Sequence, residues 1–337
     1  MSQVDVGFLE ECVPWQVESR LFPSKVGGKP AWLDLKNLPT PEDLQCSVCS
    51  KQMIFLCQIY APYEEDENNF HRTLFIFVCK NKDCWQYNKS DTIKVFRSNL
   101  RRANDFYPPE CPEDKPQPEF NPQKWVELCS LCGCKAEKHC SKCKKAAYCC
   151  REHQVIHWKE FHKISCGKNE EDPYEQSSLL FSQWELVIEP EEVKQKKVDI
   201  QKELESYERL KQQNKVGTMA EVPETELHSY AEKDQDKEFL NFRDRISTQP
   251  DQVVRYERGG SPLYIAKDPK PNLIPECEVC GGPRQFEFQI MPQMLSMLKQ
   301  YDLDWGVLLV YTCKASCTKE GYKREFIFKQ DVSGNLK

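Results

Sequence analysis

Short apolar runs bounded by turn residues recur along the chain and predict β-strands. Residues 74–78 and 307–311 are rich in aromatic and β-branched side chains, which favour extended backbone. Residues 286–290 alternate apolar and polar side chains, as a strand with one buried face does. Both apolar runs are far shorter than the roughly 20 residues of a membrane-spanning helix. The pattern predicts a β-rich α+β fold and no membrane segment.

Two widely separated stretches carry the same landmarks in the same order. The landmarks of the first stretch are Gly27, Gly28, Cys46, Cys49, Gln58, Cys79 and Cys84, and those of the second are Gly259, Gly260, Cys277, Cys280, Gln289, Cys313 and Cys317. In both copies the glutamine lies nine residues after the second cysteine. We therefore expect two homologous β units that pack against each other, with the residues between them inserted as a separate module.

The boundaries between these parts follow shifts in composition. We expect an N-terminal β unit over residues 1–110, a proline-rich linker over 111–128, a cysteine- and histidine-rich module over 129–166, a polar linker over 167–236 and a C-terminal β unit over 237–337. The polar linker is expected to be partly helical or disordered. Ile200, Leu204, Tyr207 and Leu210 have helical spacing within it, and we interpret them as one solvated spacer helix.

The cysteine content points to metal binding. The first 15 residues lack the basic start and long apolar stretch of a secretory signal, so we expect the chain to stay inside the cell. Thiols are kept reduced there, which makes the 19 cysteines of the 337-residue chain more suitable as metal ligands than as disulfide partners.

The densest group of metal-binding residues lies in the middle of the chain. Its order is Cys129-x2-Cys132, Cys140-x2-Cys143, Cys149-x3-His153 and His162-x3-Cys166. Eight ligands supply two tetrahedral zinc sites, because a two-residue gap lets one tight turn present both sulfurs to one ion. Cys134, His139, Cys150 and His157 lie among these ligands and are alternatives in principle, although their spacing is less suitable.

This segment resembles MYND zinc fingers, which share the Tyr148-Cys149 and His157-Trp158 dipeptides and the ending of residues 162–166. The resemblance implies interleaved ligation. One zinc would be held by Cys129, Cys132, Cys149 and His153, and the other by Cys140, Cys143, His162 and Cys166. It also implies that the module binds short proline-containing peptides. Closed four-ligand sites leave no position for a catalytic water, so we expect structural zinc and no enzymatic activity.

The outer cysteines have the arrangement of zinc ribbons, two pairs separated by a strand-rich stretch. One expected site is Cys46, Cys49, Cys79 and Cys84, and the other is Cys277, Cys280, Cys313 and Cys317. The prediction is therefore four Zn²⁺ per chain. The alternative at each outer site is a set of buried free thiols. Cys12, Cys57, Cys111, Cys134 and Cys150 remain as expected non-ligands.

The net charge favours basic protein partners. The chain carries a formal charge of −6, and four zinc ions bound through fourteen thiolates would take it to about −12. An acidic surface attracts basic proteins and repels the phosphates of nucleic acids, so we do not expect direct nucleic-acid binding. Lysines are frequent between residues 135 and 163, and we interpret this basic island as a solvated face of the central module.

The arrangement as a whole resembles the programmed cell death protein 2 family. The motifs that carry the resemblance are residues 22–28, 60–62, 70–72, 252–256 and 286–292. It implies a non-enzymatic protein of cytoplasm and nucleus. Its implied function is that of a dedicated chaperone in 40S ribosome biogenesis for one basic small-subunit ribosomal protein, the eukaryotic counterpart of bacterial protein S-five. The alternative is a scaffold that recruits transcriptional corepressors through the MYND module and regulates proliferation or apoptosis.

A second alternative, a methyltransferase whose SET domain surrounds a MYND segment, is not supported, because we find no Asn-His-Ser stretch in the sequence. Five aromatic residues are candidate contacts of the client, although packing in the core is the more frequent use of such residues. They are Trp32, Tyr60, Trp85, Tyr264 and Trp305. His71 has no catalytic partner in sequence, so we expect it to pack or to form a hydrogen bond.

Overall fold

Ten strands form one closed β-barrel in the computed structural model, which describes residues 3–168, 176–192 and 237–332. The strands are β1 (Asp5–Glu10), β2 (Lys25–Val26), β3 (Ile54–Tyr60), β4 (His71–Val78), β5 (Ile93–Leu100), β6 (Lys138–His139), β7 (Ala147–Tyr148), β8 (Trp184–Pro190), β9 (Val254–Tyr256), β10 (Arg284–Ile290), β11 (Val307–Cys313) and β12 (Tyr322–Gln330). Around the barrel the order is β1-β8-β2-β3-β4-β5-β12-β11-β10-β9, while β6 and β7 pair separately. The β-rich prediction is confirmed.

The helices are short and lie outside the barrel wall. They are α1 (Arg151–His157), α2 (Lys163–Ser165), α3 (Lys237–Ile246) and α4 (Gln293–Met297), with a π-helical turn at Trp158–His162 that joins α1 to α2. Phe242 of α3 packs on the outer face of the barrel with Phe286 and Leu309. Among the described residues, we find no helix with the length and apolar character of a membrane span.

Most of the wall consists of two antiparallel three-stranded meanders, β3-β4-β5 and β10-β11-β12. All eight residues of β4 are buried, as expected for a strand with a covered face on each side. The first strand of each meander has a bulge, between Phe55 and Cys57 and between Phe286 and Phe288. The meanders meet edge to edge, because β5 pairs with β12. The two halves of the chain therefore share one continuous sheet.

Two buried glutamines anchor the loop that precedes each meander. The Ala31 N–H donates to Gln58 Oε1 at 2.9 Å, and Gln58 Nε2 donates back to the Ala31 carbonyl at 3.2 Å. In the other half, Gln289 forms the same pair of bonds with Leu263, at 2.7 and 3.0 Å. The two halves thus share the same pair of hydrogen bonds at the repeated glutamine. Their homology stays a prediction.

The barrel is closed by a pair of strands from distant parts of the chain. β1 pairs with β8 over six residues, β8 also pairs with β2, and β1 also pairs with β9. The sequence predicts that residues 184–190 belong to the polar linker of residues 167–236, but they form a strand of the barrel wall. Leu186 is buried, but the apolar run of residues 186–188 is short and flanked by two glutamates, so it resembles part of the polar stretch that follows it. The expected spacer helix at Ile200–Leu210 lies outside the described residues.

The central module, residues 129–166, is docked on the barrel. Trp32 Nε1 donates to the Gly133 carbonyl at 2.7 Å, and Lys29 Nζ donates to the Ser130 carbonyl at 2.6 Å. One cluster of buried apolar residues runs from the barrel interior into this module and includes Trp32 and Leu131. The module is inserted in sequence, as predicted, but it shares its core with the N-terminal half.

Candidate metal centres

Four clusters of cysteine and histidine are present among the described residues, and they unite the four sets of ligands predicted from sequence. Within each cluster the four ligand atoms lie within 4.8 Å of one another. Cluster 1 is Cys129, Cys132, Cys149 and His153, cluster 2 is Cys140, Cys143, His162 and Cys166, cluster 3 is Cys46, Cys49, Cys79 and Cys84, and cluster 4 is Cys277, Cys280, Cys313 and Cys317.

The separations between ligand atoms fit a tetrahedral zinc ion. A zinc–sulfur bond of about 2.3 Å places two tetrahedral sulfurs about 3.8 Å apart. The Cys132–Cys149, Cys140–Cys166, Cys49–Cys79, Cys277–Cys317 and Cys280–Cys313 sulfurs are 3.6 to 3.8 Å apart. These distances are far too long for a disulfide, and all 19 cysteines are free. The donor sets are therefore suited to Zn²⁺.

The histidines complete the two central clusters through different ring nitrogens. His153 Nδ1 lies 3.1 Å from Cys149 Sγ and 3.9 Å from Cys129 Sγ. His162 Nε2 lies 3.3 Å from Cys143 Sγ. Both imidazoles are buried, so each ring is held in place by packing as well as by its metal-facing nitrogen.

The same tight turn begins every cluster. The residue four positions after the first cysteine has a positive φ, between 56° and 71°, and its N–H donates to the carbonyl of that cysteine at 2.8 or 2.9 Å. These residues are Ser50, Gly133, Lys144 and Gly281. The turn directs both sulfurs of the Cys-x2-Cys pair toward one point, which is why the local sequence alone predicts these pairs.

Helix α1 positions the last ligand of cluster 1, His153. It begins after Cys150, whose sulfur accepts the His153 N–H at 3.4 Å as an N-cap. His153 thereby faces Cys149, the last residue before the cap. The π-helical turn and α2 then carry His162 and Cys166 to cluster 2. The two sites are interleaved along the chain: cluster 1 ties the start of the module to its middle, and cluster 2 ties the middle to the end, so both ions together hold the whole module.

The alternative ligands of the central module lie outside the clusters. His139 Nε2 is 3.0 Å from a carboxylate oxygen of Glu127, and His157 Nδ1 is 3.0 Å from the Tyr148 hydroxyl. Cys134 is buried next to Cys132. Five thiols are not members of any cluster, and they are Cys12, Cys57, Cys111, Cys134 and Cys150.

Clusters 3 and 4 occupy opposite ends of the barrel. Cluster 3 joins the loop before β3 to the end of β4, and cluster 4 joins the loop before β10 to the end of β11. In the order β4-β5-β12-β11 every adjacent pair of strands is antiparallel. β4 and β11 therefore run in opposite directions. Each metal centre would therefore fasten one end of one meander.

Several ligand thiols are prepared for ionisation. Burial opposes ionisation of Cys143, but backbone N–H groups of Ala146 and Lys145 outweigh it and lower the thiol pKa to about 6. The balance of burial against the Lys51 N–H and neighbouring thiols lowers the pKa of Cys49 to about 7. A thiol that is partly ionised near neutral pH binds zinc with only a small free-energy cost for losing its proton.

A buried ion pair that sequence reasoning missed crosses the barrel. Arg72 of β4 contacts Glu287 of β10 through two bonds of 2.5 and 2.7 Å, and both side chains are fully buried. Burial opposes ionisation of Glu287, yet Arg72 lowers the carboxyl pKa to about 2. The Tyr256 hydroxyl donates to the same carboxylate. Only a weak signal existed, a glutamate inside an apolar strand.

The aromatic residues proposed as client contacts differ in exposure. Trp32 and Trp305 are buried in the core, so they do not form a contact surface. Tyr60, Trp85 and Tyr264 are half-buried. His71 stacks on Phe22 with ring centroids 4.0 Å apart and contacts the Tyr60 hydroxyl through Nδ1 at 3.0 Å. Packing and a hydrogen bond, as predicted, account for this histidine.

Comparison with known proteins agrees with this arrangement of barrel halves and zinc finger. Models of the N-terminal and C-terminal domains of programmed cell death protein 2 match residues 3–114 and 236–331, and the MYND finger model matches residues 129–166. The chain is 41% identical to programmed cell death protein 2 of Bos taurus over 98% of its own length and 96% of that protein. The chain belongs to the programmed cell death protein 2 family.

More distant members of the programmed cell death protein 2 family and one named fungal protein also match. Programmed cell death protein 2-like of Gallus gallus is 28% identical over 92% of this chain and 93% of that protein. A Schizosaccharomyces pombe protein named "Probable 20S rRNA accumulation protein 4" is 32% identical over 32% of each chain. No solved structure matches the chain.

Proposed function

We propose that this protein is a zinc-binding, non-enzymatic chaperone dedicated to one basic small-subunit ribosomal protein, and that it acts in 40S assembly in cytoplasm and nucleus. The observation that carries the proposal is the likeness to a fission yeast protein whose name refers to the accumulation of 20S rRNA. Membership of the programmed cell death protein 2 family over the whole chain is compatible with it.

Charge supports a basic client. The formal charge is −6, and full zinc occupancy through cysteine thiolates makes it more negative. The loop between β3 and β4 carries four consecutive exposed acidic residues, at positions 64–67. Ribosomal proteins are strongly basic, so opposite charge would speed association and shield the client before it reaches RNA.

We also propose that the chain binds four zinc ions and that its two halves are homologous. Each cluster offers four protein ligands, which leaves no open coordination position for substrate. The shared bulges and the matching Gln58 and Gln289 bonds support descent of the two halves from one unit. Metal analysis of the purified protein tests the number, and we expect four zinc ions per chain.

The central module supports a second candidate function, that of a scaffold for proline-containing peptides such as those of transcriptional corepressors. Val155 and Ile164 expose 42% and 72% of their surface on this module. Exposed apolar residues of this kind are used to bind partners.

Affinity capture from cells tests the chaperone proposal. We expect one small-subunit ribosomal protein to be recovered in large excess over all others, and recovery of whole subunits in equal amounts would contradict it. Deletion of residues 129–166 is unsuitable as a control, because Trp32 and Lys29 bond to this module. Ile164→Asp is preferable, since its side chain is exposed. A chaperone acting through the barrel keeps its client in this variant, whereas a MYND scaffold loses its partners.

A further inference from the structure

The ligands of the four clusters differ in their access to solvent. All four residues of cluster 1 are buried, and clusters 2 and 3 each have three buried residues and one of intermediate exposure. In cluster 4, by contrast, Cys280 is exposed and Cys317 is of intermediate exposure. A competing chelator or thiol therefore has its most direct approach to a bound ion at cluster 4.

An arginine from the other half of the chain contacts this exposed cluster. Arg97 lies on β5, in the N-terminal meander, and its side chain is fully buried. Its Nη2 lies 3.6 Å from Cys317 Sγ, and its Nη1 donates to the Cys317 carbonyl at 3.2 Å. Its Nε donates to Glu325 Oε1 at 2.6 Å. Arg97 therefore links the N-terminal half to a ligand of cluster 4.

Glu325 and Arg284 fix the other parts of the same cluster. The second carboxylate oxygen of Glu325 accepts the backbone N–H of Cys313 at 3.1 Å and Arg284 Nε at 3.0 Å. Arg284 also donates to the carbonyls of Pro275 and Glu276, which immediately precede Cys277. The second cysteine pair of cluster 4 is thus bonded to one buried network of charged side chains, and the same network holds the two residues that precede the first pair.

The charges of this network and of a four-thiolate zinc centre are complementary. Two arginines and one glutamate give the buried network a net charge of about +1, and Zn²⁺ with four thiolates carries about −2. A loaded cluster 4 therefore places negative charge beside two buried arginines that the single Glu325 carboxylate does not balance.

We propose that cluster 4 is the exchangeable zinc site of this protein, with Arg97 as its charge-balancing positioning residue, so that zinc occupancy there stabilises the seam between β5 and β12. Arg97 lies in this seam, where it pairs with Lys323. Release of the ion frees Cys317 from the cluster, so its contacts with Arg97 are no longer held in place, and the seam between the two halves becomes easier to open. The proposal depends on the zinc occupancy proposed above.

A chelator-release experiment on the full-length protein tests the proposal. With the chromogenic chelator 4-(2-pyridylazo)resorcinol, we expect one zinc per chain to be released faster than the other three, and Cys280→Ser to lack this fast phase. Arg97→Gln should accelerate the fast phase by about 10- to 100-fold, as loss of a residue next to a metal ligand does. Arg97→Lys, which keeps the charge, should restore part of the wild-type rate.

The control is Arg101→Gln, which removes the same charge from an exposed side chain that bonds to Asn68, and we expect it to behave as wild type. A fast phase that persists in Cys280→Ser, an unchanged rate in Arg97→Gln, or equal acceleration of all four ions would overturn the proposal. The zinc content before chelation tests the occupancy independently of Arg97.

If Arg97→Gln does not fold, Cys280→Ser still tests the coupling. Hydrogen exchange of this variant should be faster than in wild type at residues 93–100 and 322–330, and similar at residues 54–60. Unchanged exchange in the β5–β12 seam would show that cluster 4 does not stabilise the contact between the halves.

Discussion

At the scale of single residues, His71 shows how the barrel keeps a titratable side chain neutral. The ring is buried, stacks on Phe22 and contacts the Tyr60 hydroxyl. Burial, with a smaller contribution from the charge of Arg102, lowers the imidazole pKa from 6.5 to about 4. The neutral ring is therefore the form that the folded protein requires.

This pKa shift predicts a loss of stability in mild acid. Between pH 6.5 and 4 the unfolded chain binds a proton at His71 that the folded chain does not bind, so the contribution of His71 is complete above about pH 6.5 and decreases as the pH falls toward 4. Urea unfolding of wild type and His71→Phe at pH 7.5 and 5.0 measures it. We expect the variant to lose less stability over this interval; equal losses would show that His71 does not cause the effect. The thiol ligands are the same in both proteins, so they do not contribute to the difference between wild type and variant.

The ligand residues and the cross-barrel charges differ in how far sequence could predict them. Cys-x2-Cys pairs are local, because one turn directs both sulfurs, and their membership of clusters followed from spacing and resemblance. Arg72 and Glu287 are 215 positions apart, and neither has a local pattern that indicates its partner. Pairing at that range depends on the strand order, which the sequence did not provide.

At the scale of elements, the recurring turn of the metal clusters depends on one residue with positive φ. Gly133 and Gly281 occupy this position in clusters 1 and 4. A Cβ at Gly281 would have no atom within 4 Å, whereas one at Gly133 would lie 2.8 Å from Lys29 Cβ. A side chain at Gly281 would therefore meet only the cost of the positive φ, whereas one at Gly133 would also clash with Lys29.

Alanine at each position should give different costs. We expect Gly281→Ala to weaken zinc binding at cluster 4 by about 1 kcal/mol, the cost of left-handed backbone for a residue with a Cβ. Gly133→Ala should cost more, because it also displaces Lys29 and so disturbs the docking of the central module. Competitive zinc titration measures both. A cost at Gly133 no larger than that at Gly281 would contradict the importance of the Lys29 contact.

The strand β8 shows why an element can escape prediction. Its apolar run is only three residues long, 186–188, and stands between two glutamates, and the sequence that follows it is rich in charged residues. Its partners are β1 and β2, both distant in sequence. The meander strands were easier to predict, because β3, β4 and β11 have continuous apolar runs and are buried almost throughout.

At the scale of the whole molecule, the Arg72–Glu287 pair connects the two halves through the barrel interior. β4 and β10 are not neighbours in the sheet, so the pair acts across the core and independently of strand pairing. Arg258 adds a second positive contact to Glu287 and lies over the Tyr63 ring.

Removal of one partner from this pair should be strongly destabilising. We expect Arg72→Met to lower the free energy of unfolding by about 3–5 kcal/mol, because it leaves Glu287 buried without its main counter-charge. The double variant Arg72→Met/Glu287→Leu should recover part of this loss. Denaturant unfolding with all zinc sites loaded measures the stability of both variants. If the double variant were less stable than Arg72→Met, the uncompensated Glu287 carboxylate would not be the cause of the loss.

Closure of the barrel by β1 and β8 also constrains how the protein is made. During translation β1 emerges first, but its neighbours β8 and β9 follow only after the zinc finger has been synthesised. A message with a premature stop codon just after residue 168 would encode β1 without either neighbour, β2 without β8 and β5 without β12. Such a product presents several unpaired strand edges at once, the arrangement that promotes aggregation of nascent chains.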